Sequence, residues 1–93
     1  MRRRYRVADP TGLHARPAAE FVRALVDLPG AVRVERGEKS ANAKSILQVL
    51  GLGVRQGDLI VLDFAEADTD RVAELEARLA ALLAPEGEPD DGK

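Results

Sequence analysis

The chain contains no cysteine and only one histidine, His14, among its 93 residues. Disulfide frameworks and thiolate metal sites are therefore excluded, and a single imidazole cannot assemble the usual zinc ligand sets. No cofactor and no metal are expected. Aromatic residues are scarce as well: Tyr5, Phe21 and Phe64 are too few to make a stacking platform for nucleic-acid bases. No apolar run approaches the roughly 20 residues needed to span a bilayer. The amino end, MRRRYRV, is basic but lacks the apolar stretch of a signal peptide. The expectation is a cytoplasmic, monomeric protein with no membrane insertion.

Charge of one sign is also missing in bulk. Fourteen basic and sixteen acidic residues give a net charge of -2, which argues against a strong electrostatic grip on nucleic acid. Two local biases stand out against this balance. Arg2, Arg3, Arg4 and Arg6 make the amino end basic, whereas APEGEPDDGK, from Ala84 onward, is acidic and carries no large apolar residue. A chain of this length closes one hydrophobic core and leaves little to wall off a deep cavity. One domain over 1–84 is expected, followed by a disordered acidic tail over 85–93.

Apolar periodicity then places the elements. Residues 1–8 alternate, with Tyr5 and Val7 inward and the arginines on the other face, as in an outer strand. From Ala15 to Leu28, Ala18, Phe21, Val22, Leu25 and Leu28 form one helical stripe that Pro29 and Gly30 end. AVRVER and a polar continuation through Asn42 read as a hairpin around RGEK. Ser45, three residues before Gln48, has the spacing of a capping box and opens a short helix that glycines 51 and 53 stop. GDLIVLDFAE is the most apolar strand and belongs inside the sheet. A long amphipathic helix from Thr69 to Ala84 buries Val72, Leu75, Leu79, Leu82 and Leu83. The order implies an α+β fold: an antiparallel sheet covered on one face by helices, which buries every stripe named.

The candidate chemistry lies in TGLHARPAAEF, residues 11–21. A helix N-terminus offers unpartnered N–H groups and a favourable dipole for an anion. His14 stands at that terminus, Pro17 is tolerated in the first turn, and Gly12 permits a sharp approach. Arg16 adds a fork of donors that matches phosphate oxygens. An imidazole partly neutral at physiological pH can act as a nucleophile without a separate base, so His14 is a candidate phosphoryl acceptor.

GLHARPAAEFV, followed by AKSILQVLGLGVRQGD, resembles the HPr family, the histidine-containing phosphocarriers of the phosphoenolpyruvate-dependent sugar phosphotransferase system. The resemblance covers residues 1 to about 84. It implies an open-faced sandwich with a four-stranded antiparallel sheet and three helices on one face. It also implies a phosphoryl carrier, not an enzyme: His14 takes phosphate on Nδ1 from enzyme I and gives it to sugar-specific enzyme IIA proteins, with Arg16 balancing the charge. Ser45 matches the family's regulatory serine, which makes a serine kinase or phosphorylase a further partner, although capping alone explains a serine at this position. Leu47 and Leu50, on a helix too short to bury residues all round, are candidates for partner docking.

Three other readings remain beside it. A paralogous phosphocarrier of a nitrogen-related or other regulatory phosphotransferase system would share the phosphohistidine. A small nucleic-acid-binding domain would use Arg2, Arg3, Arg4 and Arg6, against the net charge. A hydrolase with a phosphohistidine intermediate lacks the acid and the multiple phosphate ligands it would need.

Overall fold

A computed structural model describes residues 1–86. The elements are β1 (Arg2–Val7), α1 (Ala15–Leu25), β2 (Val32–Arg36), β3 (Lys39–Asn42), α2 (Ile46–Gly51), β4 (Leu59–Phe64), α3 (Thr69–Arg78) and β5 (Leu83–Pro85). The strands form one antiparallel sheet in the order β3-β2-β4-β1-β5. This is an α+β fold with an open-faced sheet, as expected, but the sheet has five strands where four were expected.

The fifth strand comes from the end of the expected last helix. Helix α3 stops at Arg78, and Leu83–Pro85 turns back to pair with β1 in the register Val7↔Leu83 to Tyr5↔Pro85. A helix continued to Ala84 would leave that edge of β1 without partners for its backbone groups. Pro85, which lacks an N–H, is tolerated because β5 is itself an edge. Glu86 follows it, donating its N–H to the Arg4 carbonyl and accepting Arg6 Nη2 at 3.0 Å. Pro85 and Glu86 thus join the sheet, and the rest of the expected tail, 87–93, lies outside the described residues.

β4 occupies the centre, paired to β2 on one side and β1 on the other. Its alternation is as read: Ile60, Leu62 and Phe64 are buried under the helices, and Leu59 and Val61 lie half-buried on the open face. On β1, Tyr5 and Val7 are buried. Arg3 shares their face by the two-residue period, contrary to the expectation that every arginine faces out. Its guanidinium escapes burial by reaching Glu76 on α3, which also accepts the Tyr5 hydroxyl at 2.7 Å. Burial, and then the Glu76 carboxylate it donates to, push the Tyr5 phenol well above its ordinary pKa.

Helix α1 buries Ala18, Phe21, Ala24 and Leu25. It ends a turn sooner than the stripe suggested, with Val22 and Leu28 packed partly buried against the core. Lys44, from the loop before α2, donates its ammonium to the carbonyls of Leu28 and Gly30 just past the end of α1. A cation there satisfies orphan carbonyls and suits the helix dipole. Among the described residues no helix is long and apolar enough to cross a membrane.

Candidate functional site

The approach to His14 is built from two loops pressed together. Asp9 accepts both the N–H and the hydroxyl of Thr11, and Gly12 N–H closes the turn on the Asp9 carbonyl. The Thr11 hydroxyl, and then its N–H, hold the Asp9 carboxyl below its usual range. Gly12 takes φ +69°, and a Cβ there would run into the Val54 carbonyl oxygen and lie 2.8 Å from Arg55 Cα. Glycine is required twice over, by the dihedral and by the space. Leu13 N–H then bonds to the Val54 carbonyl and the Leu13 side chain is fully buried. This anchor fixes the residue that follows it.

His14 is the N-cap of α1, with extended backbone (φ -122°, ψ 156°), an exposed side chain and no side-chain bond to the helix. Its ring is therefore not consumed by capping. Ala15 adopts φ +51°, the only positive φ of any non-glycine residue among those described. The chain thus enters α1 through a left-handed turn that costs an alanine on the order of 1 kcal/mol. Arg16 is exposed and makes no ion pair among the described residues. The first-turn N–H groups of Ala15 and Arg16 have no acceptor within the helix, and Pro17 has none to lose. The result is an exposed imidazole, an exposed long-stemmed cation and N–H groups without intrahelical partners at one helix end.

Helix α2 packs against α1 and β3. Ser45 is its N-cap, and its hydroxyl accepts Gln48 N–H at a long 3.4 Å. The reciprocal half of the capping box is absent: the Gln48 side-chain oxygen instead accepts Asn42 N–H at the end of β3. The serine's hydroxyl is thus only loosely held. Of the two leucines singled out, Leu47 is 79% exposed, while Leu50 is partly buried against the core. Ile46, beside it, is also exposed, and Val49 carries the burial for this helix.

The basic amino end is used within the chain. Arg2 grips Glu35 through two nitrogens at 2.9 Å and also reaches Asp63, Arg3 binds Glu76, and Arg6 binds Glu86 and the Gly57 carbonyl. Arg2 and Arg6 hold Glu35 and Glu86, respectively, below the usual carboxylate range. Two residues shape the site beyond the candidates named from the sequence: Arg55, seated against Gly12, and Asp58, which organises its loop. Asp58 accepts Arg55 N–H and Arg36 Nε, both at 2.8 Å, and these bonds, the backbone one first, lower its pKa. The sequence cue was the loop VRQGD itself, whose Gly57 takes φ +89°. No cluster of three or more His, Cys, Asp or Glu side chains that could hold a metal occurs among the described residues.

The fold is an open-faced antiparallel sheet with a lone exposed histidine at the start of α1, and comparison with known proteins gives its class. The family model "PTS HPr component phosphorylation site" matches residues 1–84. The phosphocarrier protein HPr of Lysinibacillus sphaericus is 41% identical over 83 residues, 89% of this chain and 91% of that one. The crystal structure of HPr-C-His from Thermoanaerobacter tengcongensis superposes with a TM-score of 0.73 at 33% identity, covering 86% of this chain and 96% of that one. The phosphoryl donor subunit DhaM of a phosphoenolpyruvate-dependent dihydroxyacetone kinase, from Providencia stuartii, is 46% identical over 56 residues, 60% of this chain but 12% of its own length. The chain belongs to the HPr family of phosphocarriers.

Proposed function

We propose that this protein carries a phosphoryl group on His14 in the cytoplasm, taking it from phospho-enzyme I and passing it to sugar-specific enzyme IIA proteins. The observation that carries this reading is the exposed His14 ring at the start of α1, bonded to nothing in the helix it caps and held in place by the buried Leu13 before it. In the transfer, a neutral ring nitrogen, Nδ1 by family likeness, attacks the donor's phosphorus in line as the bond to the donor nitrogen breaks. Arg16 and the N–H groups of Ala15 and Arg16 meet the phosphate charge from one side, leaving the other open for donor and acceptor in turn. Partner surfaces cover Leu47 and the exposed part of Leu50, an apolar patch on the neighbouring helix. Phosphorylation of Ser45 by a kinase would place a dianion at the edge of that patch and disfavour docking.

A regulatory phosphotransferase chain is the second reading. The match to DhaM, the phosphoryl donor subunit of a phosphoenolpyruvate-dependent dihydroxyacetone kinase, supports it. The two readings share His14 and differ only in the final acceptor.

The test is incubation with phosphoenolpyruvate and enzyme I, followed by intact mass measurement. One acid-labile phosphate on the wild type and none on a folded His14→Ala variant is expected. Labelling that persists in His14→Ala overturns the assignment.

A further inference from the structure

Resting on His14 as the phosphoryl carrier, we infer that Arg55 is a specificity-determining residue that selects partners presenting a carboxylate beside the transfer site. The inference follows from where the VRQGD loop sits. A Cβ built on Gly12 would lie 2.8 Å from Arg55 Cα, which brings the two Cα atoms within about 4.5 Å, and two trans peptides add at most roughly 7.6 Å to His14. Arg55 Cα therefore lies within roughly 12 Å of His14 Cα by chain geometry alone. A protein that transfers phosphate in line must touch the His14 ring. An ordinary interface buries about 800 Å² on each partner, a disc of roughly 16 Å radius. Arg55, an exposed residue on that rim, falls within the footprint.

The Arg55 guanidinium closes no ion pair among the described residues, although its charge adds to the field that lowers the Asp58 pKa. Asp58 is the nearest carboxylate in its loop, and it is occupied by the Arg55 backbone N–H and by Arg36. Asp9, in the facing loop, is occupied by Thr11. Among the described residues no carboxylate bonds the Arg55 guanidinium. A partner docking over it must either match the cation or leave it desolvated and unpaired, which is unfavourable. An acidic residue opposite Arg55 is therefore favoured and a basic one is rejected. Arg55 acts on encounter and docking and makes no contact with the reacting atoms.

The experiment measures steady-state phosphotransfer from phospho-enzyme I to the wild type and to Arg55→Lys, Arg55→Gln and Arg55→Glu, at low and high salt. Arg55→Gln should raise KM about 2- to 10-fold with kcat unchanged, Arg55→Glu should raise it further, and Arg55→Lys should restore most of it. The differences should shrink as salt rises. Unchanged KM in Arg55→Glu overturns the inference while leaving His14 in its role, whereas a wild type that takes no phosphate removes the underlying reading. A fall in kcat at constant KM would place Arg55 at the phosphate instead and would also overturn the inference.

Discussion

The guanidinium of Arg2 is held by Glu35 and Asp63 and that of Arg3 by Glu76, whereas those of Arg16 and Arg55 bind no described carboxylate. The same side chain thus serves two ends. On β1 it closes ion pairs with the neighbouring strand β4, with β2 and with α3. Around His14 it is left facing solvent. A count of arginines along the sequence points to the amino end as the basic surface, but ion pairing within the fold neutralises most of it. What matters for function is which cations remain available near the transfer end, and Arg16 and Arg55 are two of the cations that close no described ion pair.

Changes at the transfer end should separate stability from function according to what each residue touches, and the largest effect is expected at Gly12. Gly12→Val forces a side chain into Val54 and Arg55 at positive φ. It should destabilise by about 2 kcal/mol or more, read by chemical denaturation, and should slow transfer because the loop that sets His14 moves. A stable variant would show that the two loops are not locked together.

Arg16→Ala should leave the melting temperature nearly unchanged, as for an exposed residue without an ion pair, while slowing transfer from enzyme I about 10- to 100-fold, the worth of one charge-assisted contact. Equal rates would mean that Arg16 is as idle as its lack of partners suggests.

At Ser45 the structure sharpens the expectation from the sequence. With a capping bond of 3.4 Å and no reciprocal bond from Gln48, Ser45→Ala should lose only about 0.5 kcal/mol and transfer normally. Ser45→Asp should melt no lower than the wild type, since a carboxylate suits a helix N-terminus, and yet accept phosphate markedly more slowly. A slow Asp variant that also melts early would point to misfolding as the cause.

The smallest effects belong to the paired arginines. Arg2→Ala should shift the melting temperature by less than about 4 °C and leave transfer untouched. Acid should undo the same pairs. Glu35, Asp58, Asp9 and Glu86 have folded pKa values below their ordinary ones, so the stability they contribute is present above the ordinary carboxylate range and is lost as pH falls through the folded values. Melting temperatures should be flat from pH 7 to about 5 and fall below about pH 4.

Much of this architecture is legible in the sequence because periodicity reports burial directly. Tyr5 and Val7, Ala18, Phe21 and Leu25 on α1, the alternation of β4, and Val72 and Leu75 on α3 are buried where their spacing put them. The misassignments share a cause. Leu82 and Leu83 fit a helical stripe and a strand equally well over so short a run, and only the unpaired edge of β1, a non-local fact, decides for β5. Arg3 was placed outside because an arginine is charged, although its parity with Tyr5 and Val7 puts it inside, where its long stem reaches Glu76. Lys44 at the end of α1 and Arg55 against Gly12 depend on contacts between distant segments that no local pattern encodes. The histidine motif was legible because its parts, a glycine turn, a helix start and a cation, are contiguous.

The central claim, that partners engage the His14 end and not the arginine-bearing sheet face, is tested most directly by mapping amide NMR shifts of the isotopically labelled protein on addition of unlabelled enzyme I. The account predicts changes concentrated at Leu13 to Arg16, Ile46 to Leu50 and Gly53 to Gln56, with β1, β2 and β3 unmoved. Shifts centred on Arg2, Arg4 and Arg33, with the His14 segment silent, would contradict it.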